Sequence, residues 1–161
     1  MGFFGFRKKK QAEEVDIFQF LSELPRDGRD LVTYAMFRPK SAATVEDFEV
    51  INHYDMMIDS IELILQTKYP RTFFYRYQFA VENAEAVRRL SFCGTYAKRA
   101  RQVLEILDKH KAEIVNAFLK RSYEAGKFPY VKGEIMAERT SMPKESFDYF
   151  CHLLKNGVSV N

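Results

Sequence analysis

Between Val45 and Ala125 the chain carries three stretches in which apolar residues recur every three or four positions, broken at Tyr69-Pro70 and at Cys93-Gly94. That recurrence puts side chains on one face of a helix, and proline and glycine interrupt it. A chain patterned in this way is constrained to long helices joined by short turns, which makes successive helices antiparallel neighbours. The expected fold is all-α: an up-down antiparallel bundle of three long helices, with short capping helices at both ends.

The stripes name the expected core. In the first long helix Phe48, Ile51, Tyr54, Ile58, Ile61 and Leu65 step along one face, while Asn52, Asp55, Asp59, Glu62 and Gln66 form the opposing polar line. Thr44 is placed to cap it. Pro70 opens the second helix, whose stripe is Phe73, Tyr77, Ala80, Ala84 and Val87. The third runs through Ala100, Leu104, Leu107, Ile114 and Phe118 to Ala125, with Gly126 as its left-handed terminator. A short helix is expected from Glu14 to Leu24, stopped by Pro25, and Leu31 to Phe37 reads equally as a helical turn or an extended piece. Beyond Pro129 the period is lost. Tyr130-Val131 and Ile135-Met136 around Lys132-Gly133 fit a small hairpin at 130–136. Ser141 is expected to cap a last helix, which turns Phe147, Phe150, Cys151 and Leu154 inward and stops at Asn156-Gly157.

At 161 residues and 47% hydrophobic content the chain fits one core, so residues 14–157 are expected to form a single helical domain behind a tail at 1–13. The most apolar run, Met56 to Leu65, is interrupted by Asp59 and Glu62 and is too short for a membrane span. Phe3, Phe4 and Phe6 precede the basic run instead of following it, unlike a secretory signal, which points to the cytoplasm. Cys93 and Cys151 fit no zinc spacing and are expected as buried or half-buried small hydrophobes. The formal charge of +3 is a property of the tail: without Arg7, Lys8, Lys9 and Lys10 the rest of the chain holds 21 basic residues against 22 acids.

Chemistry-bearing patterns are sparse. Di-iron bundles carry Glu-x-x-His on two inward faces, whereas Glu49 with His53 and Glu82 with Glu85 do not match that spacing. Neither a Gly-rich phosphate loop nor a G-x-S-x-G elbow occurs, and adjacent Cys151 and His152 would point about 100° apart on a helix. No catalytic residue, metal ligand or cofactor site is therefore assigned. Thr72-Phe73-Phe74-Tyr75-Arg76-Tyr77 is the most unusual segment, because Arg76 and Asn83 fall inside its apolar arc. A guanidinium there needs a carboxylate, carbonyl or aromatic plane, so this pair is either a structural contact or an anion site between helices. The segment resembles a TFF-x-RY phrase, followed by an acidic, alanine-bearing helix, in uncharacterised helical proteins of bacteria and their mobile elements. That resemblance spans about a dozen residues and implies a helical hairpin and no activity.

Two basic features remain. Arg88, Arg89, Lys98, Arg99 and Arg101 surround Gly94 with no acid between Glu85 and Glu105, which marks either a solvated corner or a site for an acidic partner, a phosphate-bearing ligand or nucleic acid. Phe3, Phe4, Phe6, Arg7, Lys8, Lys9 and Lys10 combine apolar insertion with positive charge, the make-up of a weak anchor on an anionic membrane surface. With a near-neutral body, the first expectation is a non-enzymatic helical protein that binds a protein partner. The alternative is nucleic-acid association through Arg88 to Arg101.

Overall fold

The computed structural model describes residues 16–25, 45–90 and 94–160. The aromatic and basic tail, the Leu31 to Phe37 segment, the Thr44 cap and Cys93 lie outside these residues. Among the described residues seven α-helices follow in order: α1 Ile17–Ser22, α2 Val45–Gln66, α3 Pro70–Leu90, α4 Gly94–Lys109, α5 Lys111–Glu124, α6 Phe128–Ala137 and α7 Lys144–Val160. A 3-10 turn, Arg139–Ser141, precedes the last, and no strand occurs among the described residues.

α2, α3 and α4 form the up-down core. His53 on α2 bonds Asn83 on α3, and Tyr77 on α3 bonds Leu107 on α4. The two residues of each pair lie equally far from their joining turn, as antiparallel neighbours require. All five stripe residues of α3 are buried, and Ala80 and Ala84 have no exposed surface. α2 is buried more widely than its stripe: Val50, Met57 and Ile64 join Tyr54, Ile58 and Ile61. It is wrapped by α1, α3 and α5 instead of resting on one layer. Phe73 stacks on Phe118 of α5 with centroids 4.3 Å apart, at the centre of a core that also takes in Ile114, Leu119 and Phe150.

α1 begins at Asp16, whose carboxylate accepts the Phe18 and Gln19 N–H groups. Tyr54 ties the end of that segment to α2 by donating to the Pro25 carbonyl at 3.0 Å. α5 ends as its sequence indicates: Gly126 takes φ +69°, and the N–H groups of Gly126 and Lys127 return to Tyr123 and Ser122.

Five expectations are corrected. The third long stretch is two helices, divided at His110, although its apolar period runs through the break. The Leu107 carbonyl, which would serve the Lys111 N–H in an unbroken helix, accepts the Tyr77 hydroxyl. Residues 130–136 are helix, not hairpin, because Pro129 suits a first helical turn and Phe128, Val131 and Ile135 share one buried face. Ser141 closes the 3-10 turn instead of capping α7, which runs on to Val160. Cys151 is exposed, since the inward face of α7 is set by Ser146, Phe150 and Leu153, and Cys151 lies more than a quarter of a turn outside it.

Candidate functional site

Arg76 and Asn83 do not converge on a shared opening. Asn83 is 3% exposed and spans two helices: its amide nitrogen donates to the Phe79 carbonyl at 2.8 Å, and its oxygen lies 2.8 Å from His53 Nδ1. With the amide nitrogen committed to Phe79, the oxygen accepts, so Nδ1 of His53 carries the proton. The half-buried Arg76 guanidinium takes aromatic planes, 5.7 Å from the Tyr75 ring centre and 5.6 Å from that of Phe79. Both residues thus have structural partners; for Arg76 the aromatic plane is among the contacts the sequence called for, whereas the Asn83 bonds to Phe79 and His53 were not foreseen.

The basic corner is divided in use. Arg88 forms an ion pair with Glu85 at 2.6 Å, half exposed. Arg99 lies over the Tyr96 ring at 4.8 Å, and Tyr96 meets Tyr54 edge-on. Burial raises the Tyr54 pKa, and the nearby Arg99 charge and hydrogen bond oppose that rise. Arg89, Lys98 and Arg101 are exposed. The membrane-surface residues Phe3, Phe4, Phe6, Arg7, Lys8, Lys9 and Lys10 belong to the tail outside the described residues.

A groove of about 1010 Å³ opens on the outer side of the α3–α4 seam. At about 100° per residue, Phe74, Val81 and Glu85 occupy the side of α3 that Asn83 turns away from. The floor is apolar: Phe74, Val81 and Leu104 are half-buried, with Tyr77 and Leu107 beneath them. On the α3 wall Arg71, Gln78 and Glu85 follow one another two turns apart. The opposite wall carries Glu105, Asp108 and Lys109, and Lys111, Glu138 and Ser141 close the far end.

The break at His110 produces this shape. α4 stops at Lys109 and α5 turns away to pack against α7 while Phe118 still stacks on Phe73, so the α4 wall ends there and Lys111, Glu138 and Ser141 line the far end. Tyr77 seals the break from inside, and the Lys111 ammonium lies 5.3 Å above its ring. Burial, with the Asp108 charge adding to it, pushes the Tyr77 phenol far above its ordinary value. On the rim Lys109 bonds Glu105 at 2.8 Å, which lowers the carboxyl pKa and raises that of the ammonium.

Arg121 and Ser122 escaped sequence reading. The Arg121 guanidinium donates to the Ile64 and Thr67 carbonyls at 2.9 Å each, and the Ser122 hydroxyl donates to Lys68. They close the carbonyl end of α2 from α5, where a cation is also favoured by the helix dipole. Burial lowers the Arg121 pKa. Its sequence neighbours carried no sign of partners more than fifty residues away.

Among the described residues no group of three or more His, Cys, Asp and Glu side chains is arranged to hold a metal, and no helix is long and apolar enough to cross a membrane. Comparison with family models, curated proteins and solved structures yields no match.

Proposed function

We propose that this chain is a non-enzymatic interaction protein of the cytoplasm that binds a protein partner through the α3–α4 groove. One observation carries the reading: the half-buried Phe74, Val81 and Leu104 form an apolar strip between walls that bear charges of both signs. An apolar centre with a polar rim is the anatomy of a protein interface. A phosphate backbone favours cations without acids, whereas the three cations of this groove stand beside four acids. Glu85 and Glu105 are each engaged by a cation of their own helix, which suits a recognition rim better than acid-base chemistry. The exposed free thiol of Cys151 fits a reducing compartment.

The test is a photo-crosslinking amino acid at Val81 in the cell that makes the protein, with the same group at exposed Lys120 as control. A discrete protein adduct at Val81, absent at Lys120 and identified by mass spectrometry, is the expected result. Adducts only with nucleic acid, or none specific to Val81, would overturn the reading.

A further inference from the structure

We infer that the α3–α4 groove receives an amphipathic α-helix of the partner, laid along it with its basic end toward Glu85 and Glu105 and its acidic end toward Arg71, Lys109 and Lys111. This rests on the protein-binding reading above and names the kind of partner.

The groove's length comes from α3. Arg71 to Glu85 spans about 21 Å at a 1.5 Å rise per residue, the length of a helix of about 14 residues. Its apolar floor is spaced for such an occupant. Phe74 and Val81 lie two turns apart, and Leu104 stands across from Val81 on the antiparallel helix. A guest helix laid along the seam would set its side chain i on Phe74 and, two turns on, its side chain i+7 between Val81 and Leu104, the manner in which a helix anchors in a groove. The half-exposure of all three floor residues leaves apolar surface for that contact to remove from water.

The charges set the direction. Along the α3 wall the order is Arg71, Gln78, Glu85, and along the α4 wall, read the same way, it is Lys109 and then Glu105. Both walls therefore run from positive to negative toward the α3–α4 turn. Asp108 and Glu138 lie in the positive half and reduce its charge without reversing it, since Arg71, Lys109 and Lys111 outnumber them. The pairs Glu85–Arg88 and Glu105–Lys109 lie within single helices and are largely solvent-exposed, so exchanging partners costs little. A guest helix with glutamates in its first turn and lysines in its last matches the walls and its own dipole together.

The experiment uses the full chain and a synthetic peptide of about 14 residues. It carries leucines at i, i+3 and i+7, glutamates in the first turn, lysines in the last, and a nitroxide at the lysine end. On binding, the nitroxide is expected to broaden the backbone amide signals around Glu85 and to spare those around Arg71. Val81→Glu should weaken binding at least about tenfold, or about 1.4 kcal/mol. Arg71→Glu, at an exposed rim position, should weaken it less and guards against a Val81 variant that fails to fold. Broadening centred on Arg71, equal broadening at both ends, or no saturable binding would each overturn the inference. If the peptide fails while crosslinking at Val81 still captures a protein, the helical guest is wrong and the protein-binding reading stands.

Discussion

α3 takes part in two seams that are closed to different degrees. Toward α2 and α5 it offers Phe73, Ala80, Ala84 and Val87, none with exposed surface, and Asn83 with both ends of its amide bonded. Toward α4 its outer side offers Phe74 and Val81, half-buried, above the Tyr77–Leu107 bond. Phe73 and Phe74 are adjacent in sequence and both meet Phe118, yet Phe73 stacks on it fully buried, whereas Phe74 meets it edge-on at 6.1 Å and walls an opening. The closed seam is held by small residues and aromatic packing along its length. The open one is held at its base and parts where α4 ends. Identical residue types thus have different consequences according to which side of one helix they occupy.

The largest effect should separate the two phenylalanines. Phe73→Ala removes a fully buried ring and leaves a cavity, so it should cost about 3 to 5 kcal/mol in urea unfolding. Phe74→Ala loses less burial and leaves space continuous with solvent, for a cost of about 1 to 2 kcal/mol. Equal losses would mean that the groove is as closed as the core.

Tyr77 stands where the seams meet, and pH reads its burial. In the fold its phenol holds its proton above the ordinary value of 10.0, so above that pH the folded chain retains a proton that the unfolded chain gives up. The stability this supplies is whole below pH 10 and falls as pH rises past it. Near neutrality Tyr77→Phe should cost about 1 to 2 kcal/mol, because the Leu107 carbonyl loses its buried donor. Above pH 10 the gap between the two proteins should narrow by up to about 1.4 kcal/mol per pH unit. A gap that stays constant to pH 11 would place the hydroxyl in water.

What the sequence disclosed follows the same division. The α3 stripe, the Gly126 terminator and the need of Arg76 for an aromatic or polar partner were legible because each is local: a period, a backbone conformation, a charge inside an apolar arc. The break at His110 was not, because Leu104, Leu107, Ile114 and Phe118 keep helical spacing through it and the competing donor comes from another helix. Arg121 failed to stand out for the same reason, its acceptors being carbonyls of the α2 end. α6 was hidden by its composition: Tyr130 is 83% exposed and Met136 is exposed too, so apolar residues on both sides blurred the period. The groove depends on non-local events of this kind: Leu104 stood in a predicted core stripe, whereas Phe74 and Val81 fell outside the α3 stripe with nothing local to join the three.

The smallest effect is the sharpest test of that difference. Threonine replaces valine with almost the same shape, so the substitution asks only whether a hydroxyl at that point can reach water. At Val87, with no exposed surface, the new hydroxyl can bond its own helix only through the carbonyl three or four residues back and is otherwise cut off from water. Val87→Thr should cost about 1 to 3 kcal/mol. At Val81 the same hydroxyl faces the groove and stays hydrated, so the cost should be within about 0.5 kcal/mol, as for surface substitutions generally. The two positions share a helix, a residue type and nearly the same propensity, which cancels the backbone contribution in their difference. If Val81→Thr costs as much as Val87→Thr, the α3–α4 seam is closed in solution and the groove is not available to a partner.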